Sequence, residues 1–127
     1  MRYYLNEKEK NMTNKKPVIW DKEQFFHYMT SRKNITPKVA RDYISRCERL
    51  IHEFDIKLDT STKNKDNFLD TVNNIHKKIL KLNVPITTQR SLSGTLRLSL
   101  RTYGEYKWGS KVTSTFPRLY LNFQSNN

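Results

Sequence analysis

The chain is poor in several residue types, and each scarcity closes off a class of function. Cys47 is the only cysteine among 127 residues. No intrachain disulfide and no cysteine-rich zinc site can form, and a reducing compartment is expected. At an apolar helix position a lone cysteine reads as a packing residue. Glycine occurs only at 94, 104 and 109, which gives neither a Walker A loop nor a GxGxxG turn. Histidine is confined to His27, His52 and His76. None lies in an HExxH or Cys/His pattern, and His76 falls on an apolar helix face, where a packed histidine is expected rather than a ligand. Acidic residues number 12. Asp55 with Asp59 and Asp66 with Asp70 are close in sequence, but neither pair has the setting of a two-metal nuclease. No stretch approaches the roughly 20 apolar residues of a membrane span, and Met1–Lys16 has no apolar core like that of a signal peptide. The expectation is a cytoplasmic protein with no membrane association, no cofactor, no metal and no catalytic centre.

Positive charge is what the chain has in excess. Lys and Arg total 24 against 12 acids, a net charge of +12. Such a balance favours phosphate backbones or anionic surfaces as partners and says nothing about fold. Apolar residues make up 35% and aromatics 12%; the first is low for a globular chain, the second enough for a compact core. The length fits one domain.

The periodicity predicts an all-α fold of four helices. Residues 1–17 read as a flexible basic leader, 18–108 as a helical domain and 109–127 as an extended tail or linker. A first helix is expected over Asp21–Lys33, with Asp21 as N-cap, Trp20 as a hydrophobic staple and Phe25, Phe26 and Met29 on one face. The second is the clearest. Thr36 is an N-cap, Pro37 fits the first helical position, and Val39, Ala40, Tyr43, Ile44, Cys47, Leu50, Ile51 and Phe54 recur at spacings of three and four. Residues 56–62 read as a connection. A third helix is predicted over Lys65–Leu82 with Phe68, Leu69, Val72, Ile75, His76, Ile79 and Leu80 buried; Pro85 prevents its continuation. A fourth starts after Thr87 or Thr88 and runs to about Trp108, with Leu92, Leu96, Leu100 and Tyr103 on one side. Beyond Gly109 a Val-, Thr-, Phe- and Tyr-rich segment interrupted by Pro117 reads as a strand or an extended arm.

The excess charge is not spread evenly. Residues 21–59 are nearly balanced, whereas residues 88–118 carry Arg90, Arg97, Arg101, Lys107, Lys111 and Arg118 against Glu105 alone. Arg90, Arg97 and Arg101 fall within about 40° of one another on a helix, opposite the leucine face. Gly94 lies in that stripe, where a missing side chain permits close backbone approach, and Ser91 and Ser93 flank it as phosphate donors. Arginine suits the task because its planar fork pairs bidentately with phosphate oxygens or guanine edges. The second helix offers a smaller basic surface of Lys38, Arg41, Ser45 and Arg49, with Arg46 at its edge and Asp42, Glu48 and Glu53 diluting it. The plainer reading is a solvated helix face for the fourth helix and i to i+4 surface pairing for the second.

Residues 18–108 resemble the core-binding, SAM-like N-terminal domain of tyrosine recombinases and phage integrases. The resemblance is carried by Trp20-Asp21 with Phe25, Phe26, Tyr28 and Met29; by Ile35-Thr36-Pro37 leading to Tyr43, Leu50 and Phe54; by Ile86-Thr87-Thr88 before a helix; and by Leu100-Arg101-Thr102-Tyr103 with Tyr106. The chain departs from the family pattern at Val39, where threonine is frequent, at Arg90, which replaces a double basic residue, and at Gly104 within the final aromatic pattern. The resemblance implies a four-helix bundle from a mobile element that clamps duplex DNA with its second and fourth helices. It implies DNA contacts from Lys38, Arg41, Ser45, Arg49, Arg90, Arg97 and Arg101, to which the charge reading adds Ser91 and Lys107. The family's catalytic domain has no counterpart in these residues, so its cleavage set is not assigned.

Two other readings compete. A small basic bundle can dock on an acidic protein surface, with the aromatic tail Phe116–Phe123 as its arm. Binding of RNA or single-stranded DNA needs exposed aromatics for stacking, and Tyr106 and Trp108 are the ones near the basic stripe.

Overall fold

The computed structural model describes residues 19–119 and 121–123. The expected leader lies outside them. The described residues are all-helical, in the order α1 (Lys22–Arg32), α2 (Pro37–Glu53), α3 (Leu58–Ser61), α4 (Lys65–Leu80), α5 (Ile86–Trp108) and α6 (Ser110–Thr113). The four long helices are those the periodicity predicts. The one-turn helices α3 and α6 lie where a connection and an arm were expected, because four-residue turns leave no periodic signature.

Local chemistry sets the boundaries. The Thr36 hydroxyl accepts from the Val39 amide at 3.3 Å, with Pro37 in the first turn of α2. Asn64 caps α4 the same way, through Asn67 N–H at 2.8 Å. Asp21 precedes α1, yet its carboxylate makes no cap bond; it is spent elsewhere, as described below. Trp20 fills the staple position, its ring 6.3 Å from that of Phe25. α1 and α2 end alike. Asn34 (φ 55°) and Asp55 (φ 58°) adopt the left-handed conformation, and the following amides of Ile35 and Ile56 reach back six residues to Met29 and Leu50 carbonyls, both at 3.0 Å. This is the Schellman closure, with an apolar residue after the reversal.

α5 is the axis of the molecule and touches every other described helix. The predicted Leu96, Leu100 and Tyr103 are fully buried, but so are Ser93 and Ser99, and Gln89, Thr102 and Gly104 are nearly so. A helix enclosed on several sides has no single apolar stripe, which is why the sequence showed only one face. Gly104 makes the enclosure possible: a Cβ there would lie 2.9 Å from Thr62 Cβ and 3.3 Å from Thr113 Cγ2. The core also takes Phe25, Met29, Cys47, Leu50, Phe68, Val72, Ile75 and Ile79, each contributing about 1.5–3 kcal/mol of burial if large. Leu80, expected inside, is 45% exposed at the end of α4, and Val39 is 41% exposed. Burial pushes the Cys47 thiol far up, and Glu48 adds to this; Cys47 is a packing residue.

The segment after α5 is not an outlying arm over its described residues. It turns at Gly109 (φ 98°), forms α6 and folds back on the bundle, burying Phe116 and Phe123. Phe116 stacks on Phe68 of α4 at 4.4 Å between ring centres, and Phe123 meets the edge of His76 at 4.7 Å.

Candidate nucleic-acid interface

α2 and the first half of α5 lie side by side, and an open groove of about 480 Å³ runs between them, lined by Arg46, Arg49, Thr87, Thr88, Ser91 and Thr95 among others. The sequence explains the lining. On α5, residues 87, 88, 91 and 95 fall within about 100° of one another, a hydroxyl stripe beside the leucine face. On α2, Arg46 and Arg49 are separated by three residues and share a side. No lining residue is acidic. Hydroxyls and guanidinium groups together make the donor set that phosphate oxygens require.

Of the predicted set, the groove itself takes Arg49 and Ser91. Lys38, Arg41 and Ser45 are exposed on α2, within about 80° of Arg49 on the helix. Arg41 and Ser45 edge a separate depression of about 650 Å³ toward α1, lined also by Glu23, Phe26 and Ile44. Arg90 and Ser91 are exposed near the start of α5. Two acids close by are already engaged: Glu53 pairs with Arg49 at 2.9 Å and Glu48 with Lys22 at 3.0 Å. Both pairs are solvent-exposed, so they are worth little. Glu105, the one acid on α5, is held by Lys33 at 3.0 Å. Arg46 also lies 5.8 Å from the Tyr43 ring centre. Sequence reading placed Arg46 at an edge and left out Thr87, Thr88 and Thr95; their spacing carries the signal once α2 is known to lie alongside.

The other predicted contacts, Arg97, Arg101 and Lys107, do not line this groove. Arg97 and Arg101 are half-buried beside the returning segment. Arg97 donates from Nη1 to the Leu119 carbonyl at 3.2 Å and from Nε to Ser93 Oγ at 3.1 Å. Arg101 donates to the carbonyls of Thr113 at 3.1 Å and Pro117 at 3.0 Å, and lies 5.2 Å from the Phe68 ring centre. Both clamp the chain's own returning segment. Burial pulls both guanidinium groups below their ordinary value, and Arg118 and Arg97 add repulsion at Arg101.

Lys107 is likewise diverted. Its ammonium lies 3.5 Å from Asp21 Oδ2 and 3.6 Å from Asp59 Oδ2. It completes a polar knot in which Tyr103 Oη contacts both Asp59 Oδ1 and Asp21 Oδ1, the latter at 2.9 Å, and Tyr106 Oη donates to Asp21 Oδ2 at 2.7 Å. Burial raises the Asp21 carboxyl, but the Tyr106 and Tyr103 hydroxyls and Lys107 outweigh it and leave it below its usual value. Burial and the same carboxylate push the Tyr106 phenol up to about 12. The knot ties α1, α3 and the end of α5 together. It also engages Tyr106, which packs against Phe25 and Tyr28; Trp108 donates from Nε1 to Thr62 Oγ1 at 3.1 Å and is 38% exposed. Among the described residues no group of three or more His, Cys, Asp or Glu is placed to hold a metal ion, and no helix is long and apolar enough to cross a membrane.

No family model, no curated protein and no solved structure matches the chain.

Proposed function

We propose that the chain is a duplex-DNA-binding module without catalysis of its own, which lays α2 and the first half of α5 against the phosphate backbone. The observation that carries this reading is the α2–α5 groove, in which Arg46 and Arg49 face Thr87, Thr88, Ser91 and Thr95 with no acid in the lining. Lys38, Arg41 and Ser45, exposed further round α2, and Arg90, exposed on α5, are carried as outer contacts beyond the groove. Exposed guanidinium and ammonium groups release counterions when they meet phosphates, and hydroxyls fix register without reading sequence. Arg97, Arg101 and Lys107 lie outside this groove, where backbone carbonyls hold the two arginines and Asp21 and Asp59 hold the lysine.

The SAM-like core-binding domain of a mobile-element recombinase is the family reading we carry forward. Its support is the succession of α1, α2, α4 and α5, the Thr36–Pro37 start of α2 and the Leu100-Arg101-Thr102-Tyr103 ending with Tyr106, together with a basic surface on the second and fourth long helices. Docking through an aromatic arm loses its motivating feature, since Phe116 and Phe123 are buried in the chain's own core.

The test is a low-salt titration of a labelled 30-base-pair duplex with the wild type and the Arg46→Ala/Arg49→Ala variant. Binding that weakens about tenfold or more in the variant is expected for two lost phosphate contacts. No binding by the wild type at the lowest salt contradicts the proposal, and equal binding by both proteins removes the groove from it.

A further inference from the structure

Away from the α2–α5 groove, α5 and the returning segment enclose a second cavity of about 250 Å³, lined by Gly94, Arg97, Arg101 and Arg118 over an apolar floor that includes Phe68 and Val72. We infer that this cavity is an oxyanion site for one phosphate group, held by Arg97, Arg101 and Arg118.

Charge is the first argument. Three guanidinium groups line one small cavity, and none of its lining residues is acidic. No aspartate or glutamate follows Glu105 in the sequence, so the returning segment supplies no counter-charge from its own side chains. The hydrogen bonds of Arg97 and Arg101 among the described residues run to neutral oxygens, the carbonyls of Ser93, Leu119, Thr113, Phe116 and Pro117 and the Ser93 hydroxyl. Carbonyl dipoles satisfy N–H groups but leave three like charges close together in a partly dehydrated place, where their repulsion is poorly screened. An anion removes that repulsion. Arginine is the side chain whose fork matches a phosphate in two contacts.

Shape is the second argument. Gly94 lies at the cavity wall, and a Cβ there would meet nothing within 4 Å, so the missing side chain leaves the approach open. The volume is roughly eight times the ~30 Å³ share of a water molecule in the liquid, room for a phosphate with part of its hydration or its ester group. Arg118 belongs to the returning segment and Arg97 and Arg101 to α5, so a bound phosphate bridges the two and holds the segment down. This site is independent of the DNA reading, which rests on the other groove.

The experiment is thermal unfolding of the full chain with inorganic phosphate, against chloride at equal ionic strength, for the wild type, Arg118→Ala and Gly94→Leu. Arg118 makes no hydrogen bond to the returning segment among the described residues, so its removal spares the clamp. Leucine suits the helix better than glycine and fills the cavity mouth. Phosphate is expected to raise the wild-type midpoint by a few degrees beyond chloride, through preferential binding to the folded state. The response should fall at least tenfold in apparent affinity in both variants. An equal response to chloride, or a full phosphate response in both variants, overturns the site. Repeating the wild-type measurement with saturating duplex identifies the source. Loss of the phosphate response assigns the site to nucleic-acid backbone, and its persistence assigns it to a free phosphorylated molecule; both outcomes support the site.

Discussion

At the scale of single residues, the two helical glycines of α5 have opposite roles. Gly104 is a close-approach residue, with Thr62 and Thr113 where its side chain would stand. Gly104→Ala is expected to destabilise the fold by about 1–3 kcal/mol through overpacking, despite the helix gain of up to ~1 kcal/mol that alanine brings. Gly94→Ala meets open space and should be neutral or stabilising by up to ~1 kcal/mol. Urea unfolding of the two variants tests the contrast, and a Gly104→Ala protein as stable as wild type would contradict the packing. His76 is the residue-scale pH sensor. Burial and then the Arg97 charge lower its pKa, against a hydrogen bond with the Asn122 backbone. The folded state therefore binds the proton less readily than the unfolded chain. The stability tied to neutral His76 is complete above the ordinary value near 6.5 and is lost as pH falls below it. Because His76 packs on Phe123, the loss should appear first as release of the returning segment, and His76→Gln should flatten the pH dependence of its hydrogen exchange between pH 7 and 5. An unchanged profile would remove His76 from that role.

Element by element, helix ends were more legible than helix surroundings. Thr36 and Pro37 announced α2, and the three- and four-residue recurrence of apolar positions announced all four long helices. The reversals at Asn34 and Asp55 were not visible, since neither residue is glycine. Each holds a left-handed backbone that costs an L-residue roughly 1–2 kcal/mol, less for Asn and Asp. Asp55 also places a negative charge near a helix C-terminus, the wrong end of the dipole. Asp55→Gly is expected to stabilise the protein by about 0.5–1 kcal/mol, read from its denaturant midpoint; a destabilised variant would show that the Asp55 side chain has a contact that outweighs its backbone. The basic stripe of α5 was legible as an alignment of Arg90, Arg97 and Arg101. Its partners were not, because Thr113, Phe116, Pro117 and Leu119 have no period, and the carbonyls they offer belong to the backbone, which carries no sequence signal. The partners of Lys107 were hidden for a related reason: Asp21 and Asp59 are distant in sequence and meet it only after α1 and α3 dock on α5.

For the whole molecule, the net charge of +12 is divided by the fold. Part is consumed internally, in the Arg97–Arg101 clamp and the Lys107 knot. Part remains on the surface of α2 and early α5, and that part carries the proposed DNA contact. Sequence alone located the charge but did not separate structural from available cations, since the separation depends on which side chains a tertiary contact already occupies. The division is measurable through counterion release. The most direct test of the central claim is the slope of log affinity against log salt for a 30-base-pair duplex, in the wild type, Arg46→Ala/Arg49→Ala and Lys107→Ala. At about 0.9 per phosphate contact, the double variant should lose roughly two units of slope, while Lys107→Ala should keep the wild-type slope. A double variant with the full slope, or a Lys107→Ala protein that loses a unit, would contradict the account.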